Sequence, residues 1–361
     1  MVDNDSWKPS ALYFDRQIYI ANSSIEECLL QLKNETIDYV LNGCEKSVEI
    51  AEQLIHKLTP QYSVDLSSSN IRSQKYLQQI SLEQHGLPAI KQIQVNRNKI
   101  ELQLLDTLTY PVFCKPSNGL GSIGVFKATS GNDVLTQLKT CPTKTALSSI
   151  DEYLIQEFIT GEEIVVDSFS INHNHYINNV YAYSKELING SWIYRGAYNI
   201  TDSTQKNNAT NFAINCLNVI KVTHGLSHLE LFLTADNSFR LIELNPRISG
   251  GFGCLNKLSN YLGGSAQDDF LIQHITQHKI KITPSQPNLF GRIAFLYTHH
   301  EIDFSQYKSV KENIWVQTQP LNLNEKQSID VLDIRQIIIL VSENKKLLTQ
   351  EYQQLINGDI I

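Results

Sequence analysis

The residues of this chain that could do chemistry gather in one stretch. Residues 227–251, SHLELFLTADNSFRLIELNPRISGG, carry a histidine, two glutamates, an asparagine and an arginine in an alternating frame. His228, Glu230 and Phe232 alternate with Leu229, Leu231 and Leu233; past a turn, Phe239, Leu241, Glu243 and Asn245 alternate with Arg240, Ile242 and Leu244. A period of two predicts two strands with unlike faces. If the turn is centred on Asp236-Asn237, Glu230 stands opposite Glu243 and His228 opposite Asn245. Directly opposed residues have Cβ atoms roughly 5 Å apart, where like charges repel. A cation between the carboxylates removes that penalty, and oxygen ligands suit Mg²⁺ held partly by phosphates. A three- or five-residue loop shifts the register by one and sends the carboxylates to different faces. Two glutamates on the wet face of a hairpin give the same pattern with no metal at all.

A second group lies upstream. YPVFCKP (110–116) reads as a strand ending in Lys115, and SNGLGSIGVFK (117–127) as a glycine-rich turn running into another strand. Gly119, Gly121 and Gly124 match GxGxxG, but a dinucleotide site needs the last glycine to open a helix, and here Val125, Phe126 and Lys127 continue as strand. Walker A is excluded because Lys115 precedes the glycines, and a kinase reading fails for want of HRD and DFG. What remains is a hairpin whose backbone N–H groups can approach phosphates closely, since glycine has no Cβ. A merely mobile hairpin is the competing explanation.

Hydrophobic periodicity outlines the scaffold these groups need. A strand over 37–43 and a helix over 45–58, with Val48, Ala51, Ile55 and Leu58 on one side, form a βα unit of the kind found in open α/β sheets. Ahead of it stand a short strand over 18–21 and a helix over 25–32, so the opening unit of such a domain is short or missing. A helix over 71–85, closed by Gly86, carries Lys75 in its first turn. A helix over 133–139 and strands over 153–159 and 163–171 complete a small α+β layer around the glycine loop. A strand over 180–184 and a helix over 208–222 lead into the hairpin. Strands over 292–297 and 334–341 and a final helix follow. Lys185, in YAYSKE, is placed to reach the phosphates from the neighbouring strand, but a surface lysine is the commoner reading there.

Composition sets bounds. With 361 residues, 42% apolar and 19% charged, the chain has ample core for two or three subdomains. A net charge of −7 with no dense basic run argues against nucleic acid. Six scattered cysteines without a CxxC read as reduced and structural. The start lacks a secretory pattern and no apolar run reaches membrane-span length, so the expected setting is cytoplasm, with no membrane partner.

Lys75, Lys115 forty residues on, the loop over 117–125, QEFITGEE over 156–163 and the Glu230, Glu243, Asn245 set together resemble the ATP-grasp superfamily. The resemblance covers roughly residues 37–255, with five motifs in the family's order. Within the superfamily the chain is similar to carboxylate–amine ligases of the L-amino-acid-ligase and dapdiamide-synthetase type. The resemblance implies a mixed α/β and α+β fold: an N-terminal wound α/β domain (1–74), an ATP-grasp domain (75–280) with a lid subdomain about 107–165, and a C-terminal α+β segment (281–361). It implies ATP and two Mg²⁺ ions, with Mn²⁺ as a substitute, small-molecule carboxylate and amine substrates, and often a homodimer.

By position, Lys75 and Lys115 would bind phosphates, with Gly119, Gly121, Ser122 and Gly124 closing over them. Gln156, Glu157, Phe158 and Ile159 would form the hinge against adenine, largely through the main chain, and Glu163 would hold the ribose. Glu230, Glu243 and Asn245 would hold metal. Arg247 and Lys115 would be catalytic, with Arg247, His228, Gly250 and Gly251 on the substrate side; Trp192, Arg195 and Tyr198 are further candidates for the pocket wall. The implied reaction activates a carboxylate as an acyl phosphate and couples it to an amine, releasing ADP and phosphate. Carboxylation, small-molecule phosphorylation and non-catalytic nucleotide binding are the alternatives. Gln156 departs from the glutamate many members carry, which weakens a polar contact to adenine.

Overall fold

The computed structural model describes residues 24–117, 124–144, 149–188, 191–298, 301–315 and 333–359. Four helices open it: α1 (Ile25–Leu32), α2 (Val48–Leu58), α3 (Ser69–Ser73) and α4 (Lys75–Gln84). The helix over 25–32 has its predicted limits, capped by the Ser24 hydroxyl, while the strand over 18–21 lies outside the described residues. The strand expected over 37–43 does not form, and among the described residues none precedes β1 (Gln92–Asn96). A strand-like sequence with no neighbouring strand has no ladder to join. Its side chains dock singly instead: Tyr39 packs on Tyr62, ring centroids 4.7 Å apart, and the Asn42 amide donates to the Pro246 carbonyl. The helix expected over 71–85 is two pieces, because Gln74 is extended and a new helix starts with Lys75.

Two antiparallel sheets follow. The smaller has the order β1-β4-β2-β3, with β2 (Val112–Pro116), β3 (Phe126–Ala128) and β4 (Glu152–Glu157). Short α5 (Leu102–Leu105) and α6 (Gly131–Thr140) accompany it, and Leu105, Val134 and Leu138 join Val112, Cys114 and Ile155 in its core. The larger sheet contains β5 (Gly161–Ile171), β6 (Asn174–Ile188), β7 (Ser191–Asn199), β8 (Gly225–Thr234), β9 (Phe239–Asn245), β10 (Phe290–Leu296), β11 (Val310–Trp315) and β12 (Gln336–Ser342). Its order is β11-β12-β10-β7-β6-β5-β8-β9.

Alternation along the strands decides what each face of the large sheet does. Ile164 and Val166 of β5, Leu229 and Leu231 of β8 and Leu241 and Leu244 of β9 turn to one side, where Leu82 of α4 and Ala209, Ala213 and Leu217 of α7 (Ser203–Val219) cover them. Glu163, Val165 and Asp167, then His228 and Glu230, take the other face. There Val165 meets Cys254, Leu255 and Leu258 of α8 (Cys254–Tyr261). Next in the chain comes α9 (Gln267–Gln277), and α10 (Lys345–Gly358) packs its Leu348, Tyr352 and Leu355 on β10 and β12.

Candidate active site

The hairpin of β8 and β9 brings the two glutamates together by a route other than the expected turn. Beside the turn the partners are Leu233 with Phe239 and Leu231 with Leu241, one residue out of the expected register. The loop holds three residues between Thr234 and Ser238, and Asn237 takes φ +59, a familiar three-residue hairpin geometry. Left alone, this register would have put Glu243 on the leucine face. A β-bulge at Ile242 adds the missing residue, after which Glu230 pairs with Glu243 and His228 with Asn245. The expected pairing holds, then, because two irregularities cancel.

Lys75, Lys115, Gln156, Glu163, His228, Glu230, Glu243, Arg247, Gly250 and Gly251 line one cavity of about 460 Å³ between the two sheets. Glu243 sits under Lys75, an ion pair, and the Asn245 amide donates to its Oε1 at 3.0 Å. Burial opposes its charge, but Lys75 and Lys115 prevail and hold its carboxyl down at about 2. Burial also opposes charge on Lys75, and Glu243 above all keeps its ammonium raised. Lys115, 8% exposed, has less support: burial first and Lys75 second bring it down to about 8.

His228 is buried with Nδ1 2.7 Å from Asp167 Oδ1 and Nε2 3.4 Å from Glu230 Oε1. Burial disfavours the imidazolium, but these two carboxylates overcome it and push the ring up to about 10. The fork of Arg247 is held by Glu45, whose Oε1 accepts from Nε at 2.6 Å and also from Nη2. Glu45 lines the same cavity.

Several expectations need correction. Lys185 is not a surface residue: it lies in the cavity, ion-paired with Glu163 and 4.1 Å above the Tyr194 ring. Tyr194 donates to the other Glu163 oxygen at 2.8 Å. Arg195 is buried away from the cavity in a pair with Asp359 at 2.8 Å; Trp192 is 57% exposed; and the Tyr198 hydroxyl is spent on Glu162. None of the three lines the cavity. Gln156 gives its amide to Gln92 at 2.8 Å, so part of its hydrogen-bonding capacity is used within the small sheet.

The main chain of 156–159, the stretch expected to face adenine, is also partly committed. The Glu157 N–H goes to the Lys91 carbonyl and the Phe158 N–H to the Pro111 carbonyl, while the Glu157 carboxylate caps the Lys91 N–H. Contact with a ligand there must use carbonyls or the Ile159 N–H. Glu157, Phe158, Ile159 and Gly124 stay off the cavity wall, and Asn245 lies buried behind Glu243. Gly124 has φ +74, and a Cβ there would meet the Tyr153 hydroxyl at 2.9 Å. Gly119, Gly121 and Ser122 lie outside the described residues. Sequence reasoning missed Asp167, Glu45 and the Tyr183–Tyr194 ring pair, whose centroids stand 4.9 Å apart. Asp167 had a readable signal, since it shares the parity of Glu163 and is the one charged residue in IVVDSFSI over 164–171.

Among the described residues no three His, Cys, Asp or Glu side chains gather as a metal cluster. The candidate donor set is therefore two opposed carboxylates and an amide. All are hard oxygen donors, and Glu243 is held ionised, which fits a Mg²⁺ that completes its shell with water and phosphate oxygens.

Residues 108–256 match the ATP-grasp domain family. The chain carries an ATP-grasp domain. Dapdiamide A synthase of Enterobacter agglomerans is 27% identical over 255 residues, 67% of this chain and 60% of that protein. The match thus spans less than two thirds of that relative's length. In fold, the chain is similar to an L-amino acid ligase from Bacillus licheniformis, with a TM-score of 0.71, 15% identity and coverage of 92% of this chain and 82% of that one. It is also similar to the biotin carboxylase domain of the Hydrogenobacter thermophilus 2-oxoglutarate carboxylase, crystallised with MgADP, at a TM-score of 0.66 and 10% identity over 93% and 77% of the two chains. The ATP-grasp fold is thus established, and among its described residues no helix is long and apolar enough to cross a membrane.

Proposed function

We propose that this ATP-grasp protein is an ATP-dependent carbon–nitrogen ligase that joins a small-molecule carboxylate to an amine. The observation that carries the reading is the paired carboxylates Glu230 and Glu243, flanked by Lys75 and Lys115 in one cleft with Arg247 beside them. The dapdiamide synthase relative supports the amide-forming class.

Glu230, Glu243 and Asn245 would hold Mg²⁺ ions, two of them by the family resemblance, or Mn²⁺ in their place. Bound there, the cation would neutralise phosphate charge. Everything else falls to the chain. Lys75 and Lys115 supply fixed positive charge along the triphosphate, so that a carboxylate can approach a polyanion. Arg247, its Nε and Nη2 already engaged by Glu45, places a fixed positive charge beside that carboxylate. A carboxylate oxygen takes the γ-phosphoryl group as its bond to ADP breaks. The amine then adds to the acyl carbon, phosphate leaves with the bonding pair, and the amine sheds a proton. No side-chain nucleophile is needed.

Incubation of the protein with MgATP and pairs of amino acids, with phosphate and amide product both measured, is the test. Phosphate release that requires both acid and amine is expected; phosphorylated acid accumulating without an amine requirement would make the protein a kinase instead.

A further inference from the structure

Asp167 lies beneath the cleft floor, wholly buried and directly opposite His228 across β5 and β8. Its Oδ1 is 2.7 Å from His228 Nδ1, and its Oδ2 has no hydrogen-bond partner among the described residues. On the far side of the ring, Nε2 is 3.4 Å from Glu230 Oε1. The three groups thus form a chain from the sheet interior to one of the opposed carboxylates. Stability does not explain such a chain, because a buried ion pair is often no better than apolar residues of the same volume. A buried carboxylate oxygen without a partner asks for a reason. Orientation supplies one: which nitrogen of a histidine faces a site is set by the bond its other nitrogen makes, and partners behind a metal-binding group tune it.

We propose that Asp167 is a positioning residue, accepting the Nδ1–H of His228 so that Nε2 is presented to one oxygen of Glu230 and the other is left for a cation. The proposal rests on Glu230 being a metal ligand of the proposed ligase. Its position fits the task. Asp167 falls on the same face of β5 as Glu163 and Val165, and β6 breaks register beside it, between the partners of Val166 and Ser168. The residue does not itself line the cavity; it acts there through its hydrogen bond to His228, which does.

The test uses the full chain, with Mn²⁺·ADP as the probe. Asp167→Asn should weaken Mn²⁺·ADP binding by roughly 10- to 100-fold, measured calorimetrically, while metal-free ADP binds as in the parent protein. In the parent protein, histidine-ring NMR should show a downfield, slowly exchanging Nδ1–H for His228, absent from Asp167→Ala. A folded Asp167→Asn protein with unchanged Mn²⁺·ADP affinity overturns the proposal, since a purely structural role would lower only the melting temperature. So does a parent ring with no Nδ1–H. If Asp167→Asn does not fold, Asp167→Ala asks the same question and must show the same selective weakening. A parent protein that binds no Mn²⁺·ADP sinks the metal-site reading and the proposal with it, a failure recognisable because the NMR signature of the Asp167–His228 pair survives.

Discussion

Replacing Glu243 by glutamine should cost stability before any ligand is added. The carboxyl of Glu243 is held at about 2 against an ordinary 4.5, with its side chain only 16% exposed. At ~1.4 kcal/mol per tenfold change, that difference corresponds to about 3 kcal/mol of folding free energy. The sign is that of a depressed carboxylate: the contribution is fully present above pH 4.5 and is lost as pH falls through about 2. Glu243→Gln should therefore melt about 6 °C lower at neutral pH, taking ~2 °C per kcal/mol for a large domain. The cause is the loss of the carboxylate that does most to hold the Lys75 ammonium, because breaking one side of a buried pair costs more than removing both. Glu243→Gln with Lys75→Met should thus recover part of the loss. Lys115, already at about 8, can shed its proton, so the penalty should be smaller at pH 9 than at pH 6.5. A Glu243→Gln melting point within about 1 °C of the parent, or a double mutant that loses the sum of the two single losses, would refute this account of the cleft.

Three further outcomes are expected. ADP affinity should fall as pH rises through about 8, where Lys115 loses its charge, and binding at pH 8 should take up protons, seen as a buffer-dependent heat in calorimetry; a flat profile from pH 7 to 9 removes Lys115 from the phosphates. Arg195→Met should destabilise by about 3–5 kcal/mol by leaving the buried Asp359 carboxylate its hydrogen bonds from Tyr297 and Thr298 but not its guanidinium, with substrate KM values unchanged in the folded protein; altered KM would return Arg195 to the pocket. Gly124→Ala should lose about 1–2 kcal/mol to its left-handed backbone, more from the contact with Tyr153, and adding Tyr153→Phe should restore only the second part by thermal melting.

Where the sequence could be read, a local pattern carried the information. The alternation over 227–233 and 239–245 marks half-buried strands with leucines on one face and the polar groups on the other, whatever the rest of the chain does. The strand expected over 37–43 failed because a strand needs a neighbour, and a local pattern cannot supply one. Arg195 was a candidate for the pocket wall by position alone, yet its partner Asp359 lies 164 residues away near the end of the chain. Lys185 was misplaced for a related reason: only the pairing of β5 with β6, and the turn of β6 toward β7, brings it onto Glu163 and Tyr194. The Glu230–Glu243 pairing was readable, but the premise of a two-residue turn was not correct.

The bulge at Ile242 divides the hairpin into an outer part, whose register follows the turn, and an inner part, whose register follows the cleft. The two can vary separately. A homologue with a two-residue turn and no bulge would present the same pair of carboxylates, so an alignment that sets its gap by turn length alone would misassign the second one. The tip at Asp236–Asn237 is for the same reason the place to graft a label or an affinity tag: strain introduced there is absorbed before it reaches Glu243.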